Sequence, residues 1–178
     1  DGYQHDTGPT VITAPYLFKE LFKLFNEDIE NYINFVPLNP WYRFYFDDFS
    51  FFDYGGTKES TVNEIKKFSS RDADGYLKML ESSKSIYEIG YDKLATFPFH
   101  DFSSMVKIVP DMIKLRSFTN VYNHVSKYIK NENLRKAFSI QPLLVGGNPF
   151  TTTSIYCLIH YLERKDGIHF PLGGTAQI

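Results

Sequence analysis

The sequence predicts an α+β fold that is mostly helical. Several stretches repeat apolar residues at the spacing of a helix, whereas the aromatic run 41–54 alternates with the two-residue period of a strand. The run 141–175 has the order loop, helix, turn and strand, and it closes on a Gly-Gly turn. At 178 residues, of which 43% are hydrophobic and 22% charged, the chain can bury a substantial core.

The N-terminal part predicts one amphipathic helix followed by a hairpin. Pro15 begins the helix after a polar turn at residues 6–10. Its apolar face consists of Leu17, Phe18, Leu21, Phe22, Leu24 and Phe25. In the run 41–54, two aromatic strands surround a turn near Asp48, which predicts an aromatic β-hairpin. The aromatic residues on one face of the first strand are Tyr42, Phe44 and Phe46.

The middle of the chain predicts further helices. A short one covers residues 59–68, and Ser69 opens a long one with Asp72 at the spacing of a capping box. The apolar stripe of this long helix consists of Ala73, Leu77, Leu80, Tyr87, Tyr91 and Leu94. Another helix is expected from Pro110 through Tyr128, and a short one follows over residues 133–138.

The last part predicts a turn, a helix and a strand. Gly146-Gly147-Asn148-Pro149 forms the turn, and the hydroxyls of residues 151–154 offer a choice of N-caps. The apolar side chains of the helix are Ile155, Leu158, Ile159 and Leu162. Charged residues and Gly167 end the helix, and the strand at residues 169–171 leads into Gly173-Gly174.

Charge is distributed unevenly along the chain. Residues 1–101 hold ten basic and 17 acidic residues, and residues 102–178 hold nine basic and four acidic ones, although the net charge is only −2. Such a split suggests that the two parts face different surroundings. Nucleic acid is not expected as a partner, since no recognisable binding module is present. An anionic membrane surface fits the basic stretch 102–130 better.

The segment 102–115 mixes apolar residues with cations. An interfacial helix needs an apolar face with flanking positive charge, and a core helix with a solvated basic edge has a similar pattern, so both interpretations stay open. The candidate membrane contacts are Met105, Lys107, Ile108, Met112, Lys114 and Arg116. No signal peptide and no run of 18 apolar residues is present. The high aromatic content, 17%, fits either a thick core or a channel for a long unsaturated ligand.

The residue patterns argue against several kinds of site. The five histidines form no metal-binding motif, so no metal is expected. No G-x-S-x-G element is present, and the 11 glycines never form the G-x-G of a dinucleotide site. The single cysteine, Cys157, lies in an apolar helical run, where a buried and inert thiol is expected. A lone cysteine also fits a reducing compartment.

Several motifs, taken together and in order, resemble the phytoene desaturase (carotenoid oxidoreductase) family of flavoproteins. They are DTGPTVIT at residues 6–13, PWYR at 40–43, RDADGY at 71–76, YI at 128–129, NLRKAF at 133–138, LLVGGNPF at 143–150, SIY at 154–156, LIHYLER at 158–164 and FPLGGT at 170–175. The resemblance extends over essentially the whole chain.

The resemblance implies an FAD-dependent enzyme that dehydrogenates C–C bonds of a C40 polyene such as phytoene. It implies a Rossmann-type flavin domain joined to a substrate region that meets the membrane. On this layout, residues 1–14 are the edge of the flavin domain, and residues 15–178 are the substrate-binding region, with a helical membrane-contact part at about 97–130. The chain starts at Asp1 rather than Met, so we expect an internal fragment. It would be cytoplasmic and peripheral to the membrane.

The resemblance also implies individual site residues. The stretch that approaches the flavin contains Asp6, Gly8, Pro9 and Thr10. Candidate polyene contacts are Tyr42, Phe44, Phe46, Phe150 and Tyr156, for which core packing is the competing interpretation. Without a glycine-rich unit or the remaining flavin-domain segments, the fragment alone should neither hold FAD nor be active.

One departure from the family leaves the catalytic residues unknown. Some members carry Asp-x-x-Arg on the helix after the Phe-Pro turn, where this chain has Ser104 and Lys107. Serine cannot replace a carboxylate as a base, and Asp101 is the nearby alternative. The other hypotheses are a stand-alone lipid- or membrane-binding module, and a related flavoenzyme acting on another polyene or a retinoid.

Overall fold

The computed structural model describes residues 2, 10–93 and 118–178 of the chain. Helices predominate, and the strands form two small antiparallel sheets. The α-helices are α1 Pro15–Leu24, α2 Lys58–Phe68, α3 Ser70–Tyr87, α4 Val121–Tyr128, α5 Glu132–Ala137 and α6 Leu158–Asp166. The strands are β1 Phe35–Pro37, β2 Tyr42–Tyr45, β3 Phe51–Tyr54 and β4 His169–Pro171. A π-helical turn, Glu88–Lys93, extends α3, and short 3₁₀ turns lie at Ile29–Asn31, Gln141–Val145, Ser154–Cys157 and Thr175–Gln177.

The helix starts follow local capping chemistry. The side-chain oxygens of four residues, each just before a helix, accept a backbone N–H from the first turn. These N-cap residues are Thr57, Ser69, Asn120 and Asn131. The prediction of one continuous helix from Pro110 to Tyr128 is wrong, because α4 begins only at Val121. Asn120, its N-cap, has extended backbone angles and forms a β-bridge with Thr153. The predicted start of α1 at Pro15 is confirmed.

Each sheet contains two strands. In the first, β1 pairs with β4, which joins an early segment of the chain to the last described strand. In the second, β2 pairs with β3 so that Tyr42 faces Tyr54 and Tyr45 faces Phe51. The five residues between β2 and β3 include Asp48, whose carboxylate accepts the Ser50 backbone N–H at 3.0 Å. An isolated two-stranded sheet is marginal in water, so this pair depends on the helices packed against it.

The core lies between the second sheet and the helices α2, α3, α4 and α6. Phe138 is at its centre, 1% exposed, with the rings of Tyr76, Tyr54 and Phe52 at 5.3, 5.4 and 5.5 Å. Much of the aromatic content is therefore core. The thiol of Cys157 is fully buried, and burial raises its pKa to about 12, as expected for an inert cysteine.

The buried face of α3 differs from the predicted stripe. Leu77, expected in the stripe, is 38% exposed, while Tyr76 and Met79 are fully buried. Packing against α6, α2 and α4 selects the face that runs through Ala73, Tyr76, Met79, Leu80, Ser83, Ile86 and Tyr87. The pattern of apolar residues alone fitted the neighbouring face of α3, through Leu77, almost as well as the buried one, because Leu and Tyr residues occur on both faces.

A close crossing joins α3 to the end of α4. Asp72 is fully buried, and its two carboxylate oxygens accept the backbone N–H groups of Lys130 and Asn131 at 2.9 and 2.7 Å. A Cβ on Gly75 would lie 2.1 Å from the carbonyl oxygen of Tyr128, so only glycine allows the helices to approach this closely. Both residues fix the position of the α4–α5 turn on α3.

Candidate functional site

Three of the candidate substrate contacts, which we call the β2 row, lie on one face of the second sheet, with Tyr42 and Phe44 in β2 and Phe46 directly after it. Tyr42, Phe44 and Phe46 are half-buried and pack against the core, whereas Arg43 and Tyr45 between them are exposed. The rings of Tyr42 and Phe44 are neighbours, with centroids 6.1 Å apart. Phe44 stacks on Phe52 at 6.2 Å, and Phe46 meets Phe68 edge-on at 5.8 Å. Each ring thus has one side fixed by the core.

A buried carboxyl group lies behind this row. Glu163 on α6 is 1% exposed, and the Tyr42 hydroxyl donates a hydrogen bond to its Oε1 at 3.1 Å. Within the described part of the chain, its second oxygen, Oε2, is buried without a hydrogen-bond partner. Burial raises the pKa of Glu163 to about 8, although the Tyr42 hydrogen bond and the neighbouring positive charge of Arg164 oppose the rise. The same burial and the Glu163 charge raise the pKa of Tyr42.

Arg164 on α6 connects the second sheet to the helices α2 and α3 through hydrogen bonds. Its guanidinium donates to the Tyr76 hydroxyl at 2.8 Å, to the Gly56 carbonyl at 2.7 Å and to the Thr61 hydroxyl. It also lies over the ring of Trp41, 4.4 Å from the centroid. Because these contacts use the planar fork of the guanidinium in several directions, lysine could not replace it.

His160 completes the polar interior of α6. It is fully buried between the Phe138 carbonyl, 3.0 Å from Nε2, and the Gln141 side-chain amide nitrogen, 3.1 Å from Nδ1. The carbonyl can only accept, so we assign the proton to Nε2 and the acceptor role to Nδ1. Burial lowers the pKa of His160 to about 3, and the ring is neutral near pH 7. This arrangement makes it a structural histidine.

Comparison with known proteins finds relatives that match nearly the whole chain. No protein-family model matches the chain. Two lycopene-forming phytoene desaturases, from Pantoea ananas and from Paracoccus sp., are 42% and 41% identical to it over 177 residues, which is 99% of the chain. A neurosporene-forming phytoene desaturase from Cereibacter sphaeroides is 34% identical over 178 residues, the whole chain. The chain is therefore similar to phytoene desaturases along its whole length.

The chain covers only part of these phytoene desaturases. It spans 36% of the Pantoea ananas protein, 35% of the Paracoccus protein and 34% of the Cereibacter sphaeroides protein. The matched part contains the aromatic row, the Glu163–Tyr42 pair and the contacts of Arg164.

The structure places the family-implied residues in different regions. Tyr156 is half-buried and packs against the core, whereas Phe150 is 57% exposed and lies against Tyr122 with ring centroids 4.6 Å apart. Among the described residues, no ring pair or hydrogen bond joins Phe150 to the β2 row. Thr10 is exposed. The other candidate cofactor and membrane contacts lie outside the described residues: Asp6, Gly8, Pro9, Met105, Lys107, Ile108, Met112, Lys114 and Arg116.

Sequence reasoning did not select Glu163 or Arg164. Both belong to the charged sequence LERKD at residues 162–166, which is typical of the solvent-exposed end of a helix. One signal was present, because Glu163 lies four residues after Ile159 and therefore on the same predicted apolar face. A glutamate on such a face needs a partner, but the Tyr42 partner is 121 residues away in sequence.

The glycines do not form a flavin cradle within the described residues. At three glycines, an added Cβ would collide with atoms of the protein itself rather than enter an open space that a ligand could fill. The colliding residues are Trp41 at Gly55, Tyr128 at Gly75 and Thr152 at Gly147. These glycines serve turns and close packing, so the described residues do not fit the pyrophosphate of FAD. The described part also contains no cluster of metal ligands and no helix with the length and apolarity to cross a bilayer.

Proposed function

We propose that the chain forms the substrate-binding region of an FAD-dependent carotenoid desaturase, which dehydrogenates C–C bonds of a C40 polyene. The observation that carries this proposal is the 41–42% identity to phytoene desaturases over 99% of the chain. In this layout, residues 1–14 are the edge of the flavin domain and residues 15–178 bind the substrate. The enzyme works as a cytoplasmic protein at the membrane surface.

The polyene contacts are the β2 row, Tyr42, Phe44 and Phe46, together with Phe150 and Tyr156. A long polyene offers a flat, apolar surface, and fixed aromatic rings contact it with little loss of conformational entropy. The row supports this role because its rings are held from behind by Phe52 and Phe68 and remain half-exposed. Glu163 then acts as a positioning residue, since it fixes the Tyr42 ring through the hydroxyl.

The cofactor edge consists of Asp6, Gly8, Pro9 and Thr10, and the remaining flavin-domain segments supply the rest of the FAD site. The helical part at about 97–130 docks on the membrane through Met105, Lys107, Ile108, Met112, Lys114 and Arg116. This docking is supported by the excess of basic residues after residue 101. The 178-residue chain alone is then inactive.

A chimera tests the proposed activity. The chain replaces the corresponding 177 residues of the Pantoea ananas phytoene desaturase, and phytoene consumption is measured in detergent with added FAD. The chimera should convert phytoene, and the chain alone should neither retain flavin nor convert it. A chimera that retains flavin but leaves phytoene unchanged would refute the proposed substrate. Turnover by the chain alone would refute the proposal that other segments of the enzyme supply most of the FAD site.

Vesicle flotation tests the membrane part separately. Wild-type protein should float with vesicles that contain an anionic lipid, and the triple change Lys107→Glu, Lys114→Glu and Arg116→Glu should abolish flotation. Equal flotation of the two proteins would contradict the proposal that the segment 105–116 contacts the membrane.

A further inference from the structure

A cleft of about 320 Å³ lies where α3 crosses the end of α4. Four cationic side chains line it, and we call it the basic cleft; they are Arg71, Lys78, Lys127 and Lys130. Its other lining residues are Asp72, Asp74, Gly75 and Tyr128. The Asp72 carboxylate is buried and already accepts two backbone N–H groups. The charged groups that a ligand would meet in the cleft are therefore the four cations and the exposed carboxylate of Asp74.

The exposed cations of the basic cleft differ from other cations of the described surface in lacking an ion-pair partner there. Arg71, Lys78 and Lys127 are exposed, and within residues 10–93 and 118–178 none of them forms an ion pair. Elsewhere on the surface, Lys19, Lys67, Lys84 and Lys136 do pair with glutamates. The Lys130 ammonium donates to the backbone carbonyls of Ser126 and Lys127, which fixes its position at the end of α4.

Hydrogen bonds and close packing hold the two walls of the cleft together. Arg71, Asp74 and Lys78 lie on one face of α3, at positions i, i+3 and i+7. The opposite wall, Lys127 to Lys130, is held against α3 by the Asp72 hydrogen bonds and by the close approach at Gly75. Cations from two elements are therefore held around one cavity, whereas a simple solvated helix face would present them along a single side.

We propose that the basic cleft binds the phosphate group of an anionic phospholipid, and so forms a second membrane contact in addition to the segment 105–116. This inference rests on the membrane docking proposed above. A phosphodiester carries one negative charge and oxygen acceptors that match the cleft's excess of ammonium and guanidinium donors. A nucleic acid would need a longer basic surface, and the described part of the chain before α3 is predominantly acidic.

The test compares a cleft variant with a charge-matched control. The cleft variant is Lys78→Gln with Lys127→Gln; the control is Lys58→Gln with Lys66→Gln, two exposed lysines of α2 that do not line the cleft. Binding of the purified protein to phosphatidylcholine vesicles with and without phosphatidylglycerol is measured by co-sedimentation. Each basic residue near an anionic surface contributes about 1 kcal/mol, so the cleft variant should bind the phosphatidylglycerol vesicles about 30-fold more weakly. The control should retain wild-type binding.

Three results would overturn the proposal. They are an equal loss in the cleft variant and the control, no binding of the wild-type protein to phosphatidylglycerol vesicles, and competition by millimolar inorganic phosphate that displaces the vesicles completely. The first result would reflect net charge alone, and the last would assign the cleft to free phosphate. Thermal unfolding of both variants checks their folding. Phytoene turnover by the chimera in detergent requires no vesicle, so failure of this site is distinguishable from failure of the proposed activity.

Discussion

Replacing Glu163 with glutamine should change how stability depends on pH. Burial raises the pKa of this carboxyl to about 8 from an ordinary value of 4.5. Between these pH values the folded protein holds a proton that the unfolded chain has released, so the stability of the fold decreases as pH rises through this range. The interval corresponds to a loss on the order of 5 kcal/mol of unfolding free energy.

Glutamine cannot titrate, and its carbonyl oxygen can still accept the hydrogen bond from Tyr42. The stability of Glu163→Gln relative to wild type should therefore increase steadily from about pH 4.5 to about pH 8. His160 and His124 are also buried, and their pKa values are lowered to about 3 and about 4, which makes the fold less stable in acid. Both histidines remain in the variant, so their effects cancel in the difference.

Urea unfolding followed by circular dichroism at a series of pH values measures this difference. A control, Glu81→Gln, removes an exposed glutamate from α3 and should keep the wild-type pH dependence. If Glu163→Gln and wild type differ by the same free energy at every pH, the carboxyl is already ionised in the folded protein and the reasoning from its burial is refuted.

Three further substitutions test the packing that positions the site. Phe138→Ala should destabilise the fold by about 3–5 kcal/mol, because the ring is at the centre of the core, whereas Phe118→Ala at a 78% exposed ring should have little effect. Gly75→Ala should cost about 1–3 kcal/mol, since its Cβ would collide with the Tyr128 carbonyl. Asp72→Asn should cost about 1–3 kcal/mol, because an amide N–H₂ would face a buried backbone N–H. Chemical denaturation measures all three losses.

Matched controls separate these effects from general sensitivity to mutation. Gly90→Ala introduces a Cβ whose nearest neighbours are 3.7 and 3.9 Å away, so it should be tolerated. Asp74→Asn changes an exposed carboxylate two residues after Asp72 and should change stability only slightly. Equal losses at Gly75 and Gly90, or at Asp72 and Asp74, would contradict the account of the α3–α4 crossing.

Local chemistry made the ends of several elements predictable. Ser69 caps α3 as the sequence suggested, Pro15 begins α1, and Gly167 ends α6 with a positive φ of 74°. Each of these signals involves residues within one turn of one another, so no knowledge of the tertiary structure was needed.

Tertiary contacts decided what the sequence could not specify. The buried face of α3 depends on three other helices, and the apolar pattern could not choose Tyr76 over Leu77. The hydrogen-bond partners of Arg164, including Thr61 and Tyr76, lie 88 to 108 residues away in sequence. The apolar face of α1 shows the same limit, because an amphipathic pattern is typical of a helix with one buried face and yet Leu24 is 79% exposed.

The most direct test of the polyene-binding claim uses the single tryptophan of the chain. Trp41 adjoins the β2 row, so a conjugated C40 polyene such as lycopene, dispersed in detergent and bound there, should quench its fluorescence by energy transfer. We expect saturable quenching in wild type, affinity about five-fold weaker in Phe44→Leu, and no change in the exposed control Phe118→Ala. Absence of saturable quenching, or the same affinity in wild type and Phe44→Leu, would contradict the polyene-binding claim.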